Sequence, residues 1–153
     1  GRDPWEGLRG MHRAVRAGSG MCTVVFSGPE RNRCIGILMS TAFKHAGVPA
    51  RDPFTPGGLL SLGKPGLADG LFRAAGFRDI ATTAMDAPFR LPSARHYLEF
   101  IRSSASPIQQ ILGKLSPSAS DAAWAEMEER LYAFNTADGW VGPNELLLTA
   151  ARR

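Results

Sequence analysis

The pattern of apolar and polar positions divides the chain into helical and extended stretches. Trp5, Leu8, Met11 or His12, and Val15 recur at spacings of three and four, which puts an apolar stripe on one helical face. Asp3 is placed to cap that helix, Pro4 to open it and Glu6 to complete a capping box. Gly18-Ser19-Gly20 ends it, because glycine tolerates the left-handed backbone of a helix stop. Met21 to Phe26 then runs apolar without alternation. A strand apolar on both faces suits the centre of a parallel sheet covered by helices, and this predicts neighbours that the preceding residues do not supply.

Further along, Asn32 is placed to cap a helix bearing Ile35, Leu38, Met39, Ala42 and Ala46, closed by Gly47. Val48 to Gly63 is rich in Pro and Gly and reads as an irregular loop. Pro65 opens a short helix through Leu71 and Phe72; Gly76 stops it, with Phe77 placed to pack back on Phe72. Ile80 to Met85 is the second predicted strand. Pro88 and Pro92 mark an exit from the sheet, and Ser93 and Ser106 cap two helices. Ser116 to Ser120 reads as a linker before a third helix, whose Glu126, Glu128, Glu129 and Arg130 form its wet side. Turns through Asp138-Gly139 and Gly142-Pro143 lead to a last strand, Glu145 to Ala150. Strands alternating with helices predict an α/β fold, with a helical insert over about 93–134.

Composition narrows the function classes. With 153 residues, 44% hydrophobic and 21% charged, the chain has an ordinary globular profile and room for a core. No apolar run reaches the length of a membrane span, so no membrane partner is expected. The net charge of +4 comes from eighteen Lys and Arg, mostly Arg, spread along the chain rather than gathered into a stripe, which argues against nucleic acid. Cys22 and Cys34 lack metal spacing and read as buried free thiols of a cytoplasmic protein.

Few motifs carry chemistry. Gly58 to Lys64 has the spacing of a phosphate loop, but Pro65 stands where the metal-binding hydroxyl belongs and no strand precedes it. Gly18 and Gly20 precede a strand, whereas a dinucleotide fingerprint follows one. His12, His45 and His96 have no carboxylate or thiol at ligand spacing and read as edge histidines; no metal is expected. Ligands of open α/β sheets bind beyond the carboxyl ends of the strands. That edge carries Ser27, Glu30, Arg31 and Asn32, with the insert placed as a lid.

Asp3-Pro4-Trp5 heading a helix, then Met11 to Gly20 before an apolar strand, resembles the step into a late strand of class I S-adenosylmethionine-dependent methyltransferases. Phe72 to Ile80 resembles the helix-to-strand step that follows in that family, and Glu145 to Ala150 resembles its closing strand. The likeness is to the small-molecule branch related to quinone biosynthesis. It differs in having Ala17 and Ser19 for the usual Pro and Gly of the turn.

This resemblance implies a partial Rossmann-like sheet of family strands five, seven and six, in that order, the last strand antiparallel and central. Residues 1–153 would be the carboxyl-terminal part of the domain, and the S-adenosylmethionine-binding motifs would lie on strands before Gly1. The expected function is methyl transfer to a small-molecule acceptor, with Ser27, Arg31, Asn32 and Tyr97 facing that acceptor and the chain inactive alone. The first strand would then expose an edge open to self-association. The alternative is a non-catalytic interaction fragment or small-molecule-binding module using that edge or the insert.

Overall fold

Two antiparallel three-stranded sheets, each in its own compact unit, organise the computed structural model. It describes residues 4–104 and 106–153, with Pro4 and Trp5 described by backbone alone, so the Asp3 cap and the Trp5 stripe position lie outside the described side chains.

The first unit comprises Gly1–Gly28, Pro53–Asp86 and Glu145–Arg153. Its helix α1 (Pro4–Ala14) turns Leu8 and His12 inward and leaves Met11 exposed, deciding between the two stripe positions in favour of His12. The strand β1 (Gly20–Phe26) follows. A 3-10 turn (Ser61–Gly63) leads to α3 (Leu67–Ala74), and β2 (Arg78–Asp86) and β6 (Glu145–Arg152) complete the sheet. α3 ends as predicted. Gly76 has φ +100°, its N–H donates to the Arg73 carbonyl, and the Phe77 N–H donates to the Phe72 carbonyl, both at 3.1 Å. The Phe72 and Phe77 rings meet at 5.2 Å.

The strand order is β1-β6-β2, with β6 antiparallel to both neighbours. One face carries Met21, Ile80 and Ala151 against Leu8, Phe72, Ala75 and Phe77, the core of this unit. The other carries Cys22, Val24, Ala81, Thr83, Met85 and Ala150, all exposed. The predicted both-faced burial of β1 is therefore corrected. Its residues alternate exposed and half-buried, because helix α1 and helix α3 pack on one side only. Among the described residues β1 is an outer strand of this sheet, and Cys22 is exposed rather than buried.

The second unit comprises Pro29–Asp52 and Ala87–Asn144. It holds α2 (Arg33–Ala46), α4 (Ala94–Ser103), α5 (Pro107–Leu112) and α6 (Pro117–Leu131), followed by a 3-10 turn at Tyr132–Phe134. Ser93, Ser106 and Ser116 each accept a hydrogen bond from the backbone N–H three residues on, at His96, Gln109 and Ala119. The supposed linker from Ser116 is thus the cap and first turn of α6, where Pro117 fits because the N–H of a first-turn residue has no carbonyl partner within the helix. The predicted turn at Asp138 joins β4 (Asn135–Thr136) to β5 (Gly139–Gly142), and these two strands with β3 (Phe89–Leu91) form a small sheet that was not predicted. Trp140 on β5 anchors the core: it is 1% exposed, stacks on Tyr97 at 4.8 Å and donates from Nε1 to the Leu131 carbonyl at 2.8 Å.

Candidate functional site

The carboxyl end of β1, where the sequence places a site, is shaped by close backbone approach. A Cβ on Gly63 would lie 2.3 Å from the Phe26 carbonyl oxygen and 2.7 Å from Ser27, so only glycine fits there. This is the structural reason for the second glycine of the apparent phosphate loop. Ser27 is 5% exposed, and its N–H donates to the Glu145 carbonyl at 3.0 Å. Gly28 faces the Phe54 ring, 3.1 Å from where its Cβ would stand.

These residues do not fit S-adenosylmethionine by themselves. The glycines at this strand end admit the chain's own loop and an aromatic ring, leaving no backbone cradle for a cofactor.

Arg31, Asn32 and Tyr97 belong to the second unit. Arg31 is exposed at the entry to α2. Asn32 is fully buried at the N-cap position, but its side chain makes no capping hydrogen bond, which corrects the capping role read for it. Gly47 closes α2 in the left-handed conformation, as predicted. Tyr97 is buried among Phe89 and Trp140. Burial first, then the charge of a Cys34 thiolate, raises the Tyr97 pKa above that of a free phenol. Burial likewise pushes the Cys34 thiol up to about 12, making it a neutral core group. Ser27 stands at the end of the sheet in the first unit, apart in the fold's division from the other three.

The polar side of α6 faces water as expected, with Glu129 and Arg130 exposed and Glu126 and Glu128 half-buried, and it also pairs with α2. Glu126 accepts from Lys44 Nζ at 2.5 Å and meets His45 Nε2 at 3.3 Å. The Lys44 hydrogen bond leads in holding this carboxyl below its ordinary pKa. Arg130 Nη1 donates to Thr41 Oγ1 at 2.7 Å and Ser40 Oγ at 2.9 Å. His45 therefore does have a carboxylate partner, 81 residues away in sequence, where local spacing shows nothing. His12 packs edge-on against Phe77 at 4.8 Å, and His96 Nδ1 lies 2.7 Å from Ser93 Oγ.

An open groove of about 370 Å³ runs between α4 and α6, lined among others by Arg95, Leu98, Arg102, Trp124 and Glu128. Arg95 pairs with Glu128 at 2.9 Å, and Arg102 lies 4.9 Å over the Trp124 ring, so both contacts bridge the two helices at their exposed rim. Their spacing of three and four along each helix was the sequence signal for that face. Between β5 and β6, Asn144 is 5% exposed, and its Oδ1 is a buried oxygen with no hydrogen-bond donor. A lone Asn after Pro143 gave no warning of it. Among the described residues, no cluster of His, Cys, Asp or Glu could hold a metal ion, and no helix is long and apolar enough to cross a membrane.

No protein-family model matches the chain, and no curated protein matches it in sequence. Among solved structures, 97% of it is similar to a candidate methyltransferase from Bacillus halodurans, at 13% identity and a TM-score of 0.48. Similarly, 99% of it matches phosphoethanolamine N-methyltransferase 2 of Haemonchus contortus in complex with phosphomonomethylethanolamine and S-adenosylhomocysteine, at 14% identity and a TM-score of 0.42. The chain spans 62% of the first protein and 30% of the second. Likeness this distant does not by itself assign an activity.

Proposed function

We propose that the chain is the carboxyl-terminal part of an S-adenosylmethionine-dependent methyltransferase acting on a small molecule. The observation that carries this reading is β6, a closing strand set antiparallel between β1 and β2. The sequence of that sheet also resembles the family's late strands. In this reading β1, β6 and β2 are strands five, seven and six of the family sheet. The cofactor's methyl group would be supplied from strands outside this chain. The chain's own residues contribute acceptor contacts, with Arg31, exposed at the entry to α2, the candidate the second unit offers. Their role is to orient the acceptor and exclude water, which contributes most when the reacting atoms are held close and in line. By itself the chain would be inactive, and its place is the cytoplasm.

The test uses the product of the complete open reading frame, incubated with methyl-labelled S-adenosylmethionine and a panel of small acceptors. Label should move to an acceptor, and Arg31→Ala should slow that transfer while the fold is kept. No transfer to any acceptor, with cofactor binding also absent, contradicts the reading. A second reading, a non-catalytic interaction fragment, is favoured by the exposed apolar face of the first sheet, where Val24 is 52% and Met85 48% exposed.

A further inference from the structure

Residues 53–63 of the first unit lie against the carboxyl end of β1, the edge at which open α/β sheets take their ligands. The two ends of this stretch are held differently. At Gly63 backbone meets backbone: a Cβ has no room under Phe26 and Ser27, and the Gly63 N–H donates to the carbonyl of Leu60, which is buried. That end is a fixed anchor. At the other end an aromatic ring rests on a glycine. Phe54 Cζ lies 3.1 Å and Cε1 3.5 Å from where a Gly28 Cβ would stand, so the ring occupies the place of a side chain at the strand end. Phe54 is half-buried, and Pro53, Pro56 and Gly57 around it are exposed. Between the two ends Gly57 takes φ +86°, the Gly58 N–H donates to the Thr55 carbonyl at 3.0 Å and the Ser61 N–H to the Gly58 carbonyl at 3.2 Å. These turn bonds lie inside the stretch and do not fasten it to the sheet.

We propose that 53–60 is a strap, closed in this structure by Phe54 on Gly28, which lifts about its Leu60–Gly63 anchor to admit the acceptor to the carboxyl end of β1. That an acceptor is what enters rests on the methyl-transfer reading; the strap itself rests on the Phe54 contact. Glycine at 28 lets the ring come down, since any side chain there would hold it off. A phenyl ring brings only dispersion and burial to such a contact, which can be broken and remade without stranding a polar group. Pro53 and Pro56 restrict the conformations open to the lifted strap, and Gly57 supplies its left-handed turn. Closed, the strap keeps water from a transfer that depends on a dry, ordered site. The cost of lifting falls on the acceptor, whose apparent affinity is reduced by the fraction of time the strap is open.

Hydrogen exchange on the product of the complete open reading frame, with no acceptor added, tests the strap. Phe54→Ala should quicken exchange over 55–61 by about three- to tenfold and leave β6 unchanged, because the opening is local. Gly28→Ala keeps the ring but pushes it off the strand end, and should quicken the same stretch. Unchanged exchange over 55–61 in either variant, or faster exchange through β6 as well, overturns the proposal. Turnover with methyl-labelled S-adenosylmethionine tests the gate. Phe54→Ala should lower the acceptor KM about two- to fivefold and lower kcat, with the KM for S-adenosylmethionine unchanged. An unchanged or raised acceptor KM overturns the gate. A product inactive toward every acceptor, whose 55–61 exchange still responds to Phe54→Ala, would sink only the methyltransferase reading.

Discussion

The two units solve burial in opposite ways. The second closes on itself: Trp140, Tyr97, Leu38, Ile108, Leu112, Met127 and Leu131 are all almost wholly inaccessible, and short strands and capped helices enclose them. The first covers one face of its sheet with two helices and leaves the other to solvent. A core that fills its own volume is a stability device. A sheet with one apolar face exposed leaves surface whose burial the hydrophobic effect would favour.

The sharpest way to break this contrast is truncation on each side. Trp140→Ala should cost about 3–5 kcal/mol, through a large cavity and the loss of the donor to the Leu131 carbonyl, read by urea unfolding. Val24→Ala on the open face should change stability by under about 0.5 kcal/mol in the monomer. Equal losses at the two sites would erase the distinction.

Alkaline pH comes next, and it acts on the closed unit. Cys34 ionises near 9.0 as an ordinary thiol and near about 12 when folded. The folded state therefore holds its proton longer. Stability from this group is intact below pH 9 and falls as pH climbs toward 12, by about 1.4 kcal/mol for each unit of difference. Tyr97 shifts in the same direction. Unfolding curves at pH 8 and 10.5 read the effect, and Cys34→Ala should flatten it.

Gly63→Ala should cost about 1–3 kcal/mol or more, because the added methyl meets backbone that cannot swing away. Ser93→Ala should cost about 1 kcal/mol by removing the cap of α4. Both are read by thermal unfolding, and an unchanged melting temperature in either would refute the contact assigned to it.

What the sequence showed was local. The Schellman stop at Gly76, the helix starts at Ser93 and Ser106 and the three main strands rest on turn chemistry and periodicity within a few residues, and all were legible; the cap at Ser116 was read as a linker. The small sheet was not, because Asn135-Thr136 and Gly139-Trp140-Val141-Gly142 are short and contain residues disfavoured in strands; pairing with Phe89–Leu91 makes them strands. The apolar run of β1 was read correctly as a strand and wrongly as buried on both faces, since composition shows what a face can tolerate and not what covers it. The polar side of α6 was read as wet, and it is; its pairing with Lys44, His45 and Thr41 left no local mark, because they lie on a helix more than eighty residues earlier. The candidate acceptor residues were found by position at strand and helix ends, and the orphaned Asn144 oxygen had no such marker.

The most direct measurement is calorimetric titration of S-adenosylmethionine into two samples: the 153-residue chain and the product of the complete open reading frame. The account expects binding by the second and none by the first, since the cofactor's residues are assigned to strands outside this chain. Tight binding by the 153 residues alone, or no binding by the complete product, would contradict it.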